Sequence, residues 1–232
     1  MERPVVAPRA GAVLFDFGGT LDAPGLTWKE RAWRLYRAAG LVADPAVFDP
    51  IFYKADDALV GTVPATLSFA DTVHRVFTGV SAGLGVADGR LTERLVQRFV
   101  ADAHRHLAAS LRVLNRLAHR YALGVVSNFY GNLEAVCTEV RLAGVMGVIA
   151  DSAVVGASKP DARIFQHALD ALGVAPGDAW FVGDSRPRDM DGARALGIRH
   201  IWVVEPGAPS AAPCCPGDPV IHSLDELEAV LA

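Results

Sequence analysis

The chain has 232 residues, 51% of them hydrophobic, and a formal net charge of −4, which suits one large core or a core with a smaller inserted domain. Without a long basic run it does not read as a nucleic-acid binder, and no apolar run is long enough to span a bilayer. Cys137, Cys214 and Cys215 form neither a disulfide framework nor a zinc pattern. Pro4, Pro8 and Arg9 interrupt any apolar stretch that a secretory signal needs. The expectation is a cytoplasmic protein, monomer or homodimer, with no nucleic-acid or membrane partner.

In chain order, residues 12–17 read as a buried strand that ends at Asp16 and runs into Gly18-Gly19-Thr20-Leu21. From about Ala23 to His106 the pattern turns helical. The stretches are 30–39, 45–60 and 68–77, stopped by Gly40, Gly61 and Gly79, then a long 91–107 that leads on through 111–119. Further buried strands read at 122–127, 147–150, 179–182 and 198–204, with a short edge strand at 220–221. Helices at 131–142, 161–172 and 189–196 separate them. Strands alternating with helices imply parallel βαβ units. Residues 205–219, rich in Pro, Ala and Gly, read as a surface loop. A last helix at 224–231 opens on Ser223 with Glu226 as a capping box. The expected fold is an α/β three-layer parallel-sheet core, residues 1–22 and 107–232, interrupted by a helical cap at 23–106.

The strand ends carry polar residues. They are Asp16, Ser127-Asn128, Lys159 before Pro160-Asp161, and Gly183-Asp184 followed by Asp189. In a parallel sheet such ends share the carboxyl edge, where open α/β folds bind ligands. Carboxylates beside a hydroxyl and one ammonium suit a phosphate held through Mg²⁺, which takes few protein carboxylates and keeps room for phosphate and water. Each residue alone has an ordinary reading: turn chemistry for Ser127-Asn128, a solvated loop lysine for Lys159, helix capping for Asp184 and Asp189.

Taken in order, Asp16 to Leu21, Ser127, Lys159 and Gly183-Asp184 with Asp189 resemble the four motifs of the haloacid dehalogenase-like (HAD) superfamily, and the insertion sits where that family places a helical cap. The resemblance implies a Rossmann-like core and a phosphatase-like hydrolase. Asp16 would attack phosphorus and form an aspartyl-phosphate that water hydrolyses. Mg²⁺ would bind Asp16, the Gly18 carbonyl and Asp184, with Asp189 in support. Thr20, Ser127, Asn128 and Lys159 would hold the phosphate of a small phosphorylated metabolite.

Gly18 departs from the pattern, since HAD phosphatases usually carry a second Asp there as general acid and base. That help is worth roughly 10²–10⁴-fold, so alkyl phosphates should turn over poorly. Gly18→Asp is expected to raise that activity by up to about 10²-fold. Three alternatives stay open: a catalytically impaired ligand-binding or interaction protein, a dehalogenase, and a phosphonoacetaldehyde-type hydrolase using a cap lysine. Lys54 is the lysine read as lying well inside the cap. Asp56, Asp57 and His74 are the other cap residues to consider as a replacement acid. Arg186 and Arg188 read as exposed loop arginines, Trp28, Trp33 and Tyr36 as packing within the cap, and His104, His106 and His119 as surface histidines.

Overall fold

The computed structural model describes residues 10–41, 44–208 and 217–232. Pro4, Pro8, Arg9, Cys214 and Cys215 lie outside the described residues. The strands are β1 (Ala12–Phe15), β2 (Ala122–Ser127), β3 (Val148–Asp151), β4 (Ala179–Gly183), β5 (Arg199–Val203) and β6 (Val220–Ile221). They form one parallel sheet in the order β3-β2-β1-β4-β5-β6. Neighbours out of sequence order require crossovers, and the first crossover, between β1 and β2, carries α1 (Trp28–Ala38), α2 (Pro45–Asp57), α3 (Phe69–Gly83) and α4 (Gly89–Leu117). The later helices are α5 (Leu133–Glu139), α6 (Ser152–Val155), α7 (Ala162–Leu172), α8 (Asp191–Ala195) and α9 (Leu227–Val230). Ser223 and Glu226 make the expected capping box before α9, although the turn at Leu224–Glu226 is tighter than an α-helix.

β1 shows why the sheet is central. All four of its residues are buried. Val13 and Phe15 join the apolar cluster on one face, and Ala12 and Leu14 join the cluster on the other. That alternation follows from the two-residue period of a strand covered on both sides. Phe15 pairs with both Val125 and Val182, so the residues after these strands emerge at one edge of the sheet.

The helical insertion differs from its expected outline in three ways. The stretches 91–107 and 111–119 are one helix, α4, because Leu107, Ser110, Val113, Leu114 and Leu117 keep to a single buried face. Ser110 also donates its hydroxyl to the Leu21 carbonyl at 2.7 Å. The boundary read at 106/107 therefore falls inside a continuous helix. Secondly, Gly79 does not stop α3. It lies within the helix, where a Cβ would come 2.8 Å from the Ala55 methyl, so its smallness lets α2 and α3 approach. Thirdly, the cap is not packed apart from the sheet: Phe48, Phe77 and Phe99 belong to the same buried cluster as Val13, Phe15 and Val125. Among the described residues no helix is long and apolar enough to cross a membrane.

Candidate active site

Asp16 follows β1 directly and stays tied to the sheet through its N–H, which donates to the Val182 carbonyl at 2.9 Å. Three donors converge on its Oδ1: the Phe17 N–H, the Ser127 hydroxyl and the Lys159 ammonium, each at 2.7 Å. Ser127 ends β2. Lys159 comes from the loop before α7, and Asn128 holds that loop. The Asn128 amide accepts from the Lys159 N–H at 2.7 Å and donates to the Lys159 carbonyl at 3.1 Å. Both polar atoms of Asn128, expected on the phosphate, are thus engaged with the lysine backbone. Thr20, also expected on the phosphate, donates its hydroxyl to Asp184 Oδ1 at 3.2 Å and does not line the cavity described below.

Lys159 bridges Asp16 to Asp189 Oδ1, again at 2.7 Å. Burial works against its charge, yet the two carboxylates more than offset this and raise its pKa. Asp189 sits in the helical turn Arg186–Met190, fully buried, and accepts the Ser185 N–H at 2.9 Å. Burial pushes its carboxyl up to about 6, against the pull of Lys159. Asp184, one residue past β4, is raised well above the ordinary range, first by burial and then by the charges of Asp16 and Asp189. Two glycines make this crowding possible. Gly19 has φ of 89°, and a Cβ there would meet Asp184 Oδ2 at 2.5 Å, while a Cβ on Gly183 would collide with the Asp189 carboxylate.

One oxygen each from Asp16, Asp184 and Asp189 lies within 4.8 Å of the others. Three carboxylates against one ammonium leave an excess of negative charge, which adds to burial in raising Asp184. Hard oxygen donors at this spacing fit a divalent cation such as Mg²⁺.

A cavity of about 100 Å³ opens over this edge. Asp16, Gly18, Ser127, Asn128, Lys159, Asp184 and Asp189 form its core side. The cap side is built from residues that carry no motif: Trp28, Lys29, Phe52, Tyr53 and Asp56, with Tyr130 joining from the core. Lys54 is exposed and does not line it. The cap lysine that does is Lys29, whose ammonium pairs with Asp49 at 2.6 Å. Arg188 also lines the cavity, whereas Arg186 lies over the Trp202 ring at 5.2 Å. Tyr36 and Trp33 do pack within the cap as expected. Asp56 had one sequence signal: it falls four residues after the buried Phe52, so α2 turns a carboxylate toward its apolar face.

At Gly18 the backbone is unstrained, with φ of −77°. The side-chain space is taken instead. A Cβ on Gly18 would lie 3.1 Å from Trp28 Nε1 and 3.2 Å from Cδ1. The indole is fixed by Asp22, which accepts from Trp28 Nε1, from the Gly19 N–H and from Arg31 Nη1, each at 2.7 Å.

The family model for haloacid dehalogenase-like hydrolases matches residues 86–203. A phosphoserine phosphatase from Thermus thermophilus is 44% identical over 75 residues, a stretch covering 31% of this chain and only 30% of that protein's length. Among solved structures, a HAD phosphatase from Thermococcus onnurineus aligns with a TM-score of 0.57 at 23% identity, covering 96% of this chain and 98% of that one. A 2-haloacid dehalogenase from Pseudomonas syringae pv. Tomato DC3000 aligns with a TM-score of 0.54 at 25% identity, covering 95% and 97%. These two likenesses speak to architecture. The family model, which spans half of the sequence, establishes that the chain belongs to the haloacid dehalogenase-like hydrolases.

Proposed function

We propose that the protein is a Mg²⁺-dependent phosphatase for a small phosphorylated metabolite, working through an aspartyl-phosphate on Asp16. The observation that carries this reading is the Asp16 carboxylate itself. Lys159, Ser127 and the Phe17 N–H all donate to Oδ1 and hold the carboxylate in one orientation at the cavity. As an Asp16 oxygen bonds to phosphorus, the bond from phosphorus to the ester oxygen breaks. Lys159 sits as a fixed cation between Asp16 and Asp189 and offsets the charge that builds on the phosphoryl oxygens. Asp16, Asp184 and the Gly18 carbonyl would hold the cation, with Asp189 in support. When bound, Mg²⁺ supplies Lewis-acid charge that lets two anions approach.

The dehalogenase reading has less support, because the resemblance implies that such enzymes need no cation, and here three carboxylates crowd within 4.8 Å. The size of the cavity, about 100 Å³, favours a small substrate, and the relative's name makes phosphoserine one ester to include. The test is turnover of p-nitrophenyl phosphate, acetyl phosphate and phosphoserine with and without Mg²⁺, with capture of ³²P-labelled protein. Mg²⁺-dependent turnover and labelling, both absent in Asp16→Asn, are expected. Failure on the whole panel overturns the phosphatase reading and favours a ligand-binding protein.

A further inference from the structure

The missing carboxylate beside Asp16 poses a chemical question that the core does not answer. An alkoxide leaving group needs a proton, and at Gly18 the side chain is absent and the place for one is crowded, since Trp28 stands 3.1 Å from where a Cβ would be. A replacement acid has to reach the cavity from another wall. Following the contacts outward from Gly18, the Trp28 ring faces the Tyr130 ring at 6.3 Å between centroids. The Tyr130 hydroxyl donates to Asp56 Oδ1 at 2.5 Å. Trp28, Tyr130 and Asp56 all line the same small cavity as Asp16.

We infer that the cap carboxyl Asp56, positioned by Tyr130, is the general acid that protonates the leaving oxygen in place of the residue missing at Gly18. This rests on the phosphatase reading above. Tyr130 occupies Oδ1, so Oδ2 carries the proton. As the Asp16–phosphorus bond forms and the bond from phosphorus to the ester oxygen breaks, the Asp56 proton passes to that oxygen. The product leaves as an alcohol and Asp56 is left as a carboxylate. In the second half, water gives a proton to Asp56 as its oxygen bonds to phosphorus. The Asp16–phosphorus bond then breaks, and both groups are restored.

The surroundings of Asp56 suit this duty. Burial is the main influence on its carboxyl and raises its pKa, so the neutral acid persists to higher pH than for an ordinary aspartate. Asp57 raises it further, while the Tyr130 hydrogen bond and Arg188 pull it down. Tyr130 itself is held well above its ordinary pKa, chiefly by burial and then by Asp56, and remains a donor. From α1, Lys29 reaches the cavity but is paired with Asp49. α3 meets this part of α2 through Gly79 against Ala55. From the core, Asp16, Lys159, Asp184 and Asp189 line the same cavity.

The test separates bond-breaking that needs a proton from bond-breaking that does not. First-turnover rates are measured by rapid quench on p-nitrophenyl phosphate, whose phenolate leaves unprotonated, and on phosphoserine, whose alkoxide does not. In Asp56→Asn the ratio of the alkyl to the aryl rate should fall by about 10²-fold, the lower end of general-acid contributions. Tyr130→Phe keeps the acid and removes a hydrogen bond that favours its charged form. The acid acts only while protonated, so the alkaline limb of the alkyl profile should move to higher pH, with no such movement for the aryl ester. An unchanged ratio in Asp56→Asn, or an alkyl profile unmoved in Tyr130→Phe, overturns the role of Asp56 while leaving the phosphatase reading intact. Loss of labelling by every ester in the parent protein overturns both.

Discussion

Two charge clusters, built around the buried cations Lys159 and Arg31, begin from carboxylates six residues apart, Asp16 and Asp22. In one, Lys159 bridges Asp16 and Asp189. In the other, Arg31 bridges Asp22 and Asp102, at 2.7 and 3.3 Å. Both join elements far apart in the chain. The Lys159 cluster borders the cavity and is surrounded by further carboxylate. The Arg31 cluster is closed at Arg31 and Asp22 and meets solvent at Asp102: Arg31 lies over the Phe99 ring at 4.0 Å and reaches the Phe99 carbonyl at 3.4 Å, and Asp22 is sealed behind Trp28. In the proposed mechanism the same ingredients give a reactive centre where a ligand has access, and they give a tie between the first helix and the rest of the insertion where it does not. Access, more than burial or charge, separates the two.

The largest effect expected from this contrast is on stability. Arg31→Met leaves Asp22 with a fully buried carboxylate and no cation. Breaking a buried pair from one side costs about 3–5 kcal/mol, to be read as a lower urea midpoint with an unchanged denaturant slope. A loss under about 1 kcal/mol, the scale of an exposed pair, would show that the Arg31 cluster is no structural tie and would break the comparison.

Lys159→Met likewise strips the cation from a buried carboxylate, Asp189, so what sets it apart from Arg31→Met is a loss of rate in the protein that stays folded. Removing one fixed charge-stabilising donor typically costs about 10²–10³-fold, measured here as the first turnover of p-nitrophenyl phosphate. If Lys159→Met and Arg31→Met slowed that step equally, the two clusters would not differ in role.

These clusters were also unequally legible. Asp16, Ser127 and Asp184 stand at or next to the ends of strands, Lys159 and Asp189 lie in the connections that follow, and their order along the chain, by its resemblance to the four family motifs, marks all five as candidates. The sheet was readable from its apolar runs, with strands β2 and β6 matching their expected bounds and the others within a residue or two. Asp22 and Arg31 carried no such mark. Asp22 follows the glycine turn as one more polar residue, and Arg31 is one of many arginines. Their meeting depends on how α1 returns across the first turn. The cap wall was hidden in the same way. Trp28 read as packing and Tyr130 carried no signal of its own, and only the fold brings them to Gly18 and Asp56. α4 concealed the boundary between cap and core because one apolar face serves both.

The third expected effect concerns the excess negative charge of the Lys159 cluster. A ligand that binds only the folded state at 100 times its Kd stabilises by about 2.7 kcal/mol. Differential scanning calorimetry with Mg²⁺ should show a rise in Tm, and Asp184→Asn should remove most of it. The Arg31 cluster, with one carboxylate sealed and no cavity, should contribute nothing to that rise, so Asp102→Asn should keep it. An equal rise in Asp184→Asn would place the cation elsewhere.

The smallest effect lies where the two clusters touch, at Gly18 and Trp28. From sequence alone Gly18→Asp is a gain of function, since the backbone carbonyl survives and a carboxylate is added. The backbone permits it, with φ at −77°. The indole does not, because it lies 3.1 Å from the new Cβ and is fastened to Asp22, which Arg31 and the Gly19 N–H hold in place. Moving the ring would strain the closed cluster in order to enlarge the open one. Gly18→Asp should therefore cost about 1–3 kcal/mol, as overpacking typically does, with no rise in phosphoserine turnover. Trp28→Ala leaves room for the carboxylate, though the large-to-small change carries its own loss of about 3–5 kcal/mol. The informative variant is accordingly Gly18→Asp together with Trp28→Ala, assayed below its unfolding transition. If alkyl turnover rises there and not in Gly18→Asp alone, the barrier at Gly18 is the indole. A rise in Gly18→Asp alone would show that the ring yields freely and that the two clusters are less firmly separated than their hydrogen bonds indicate.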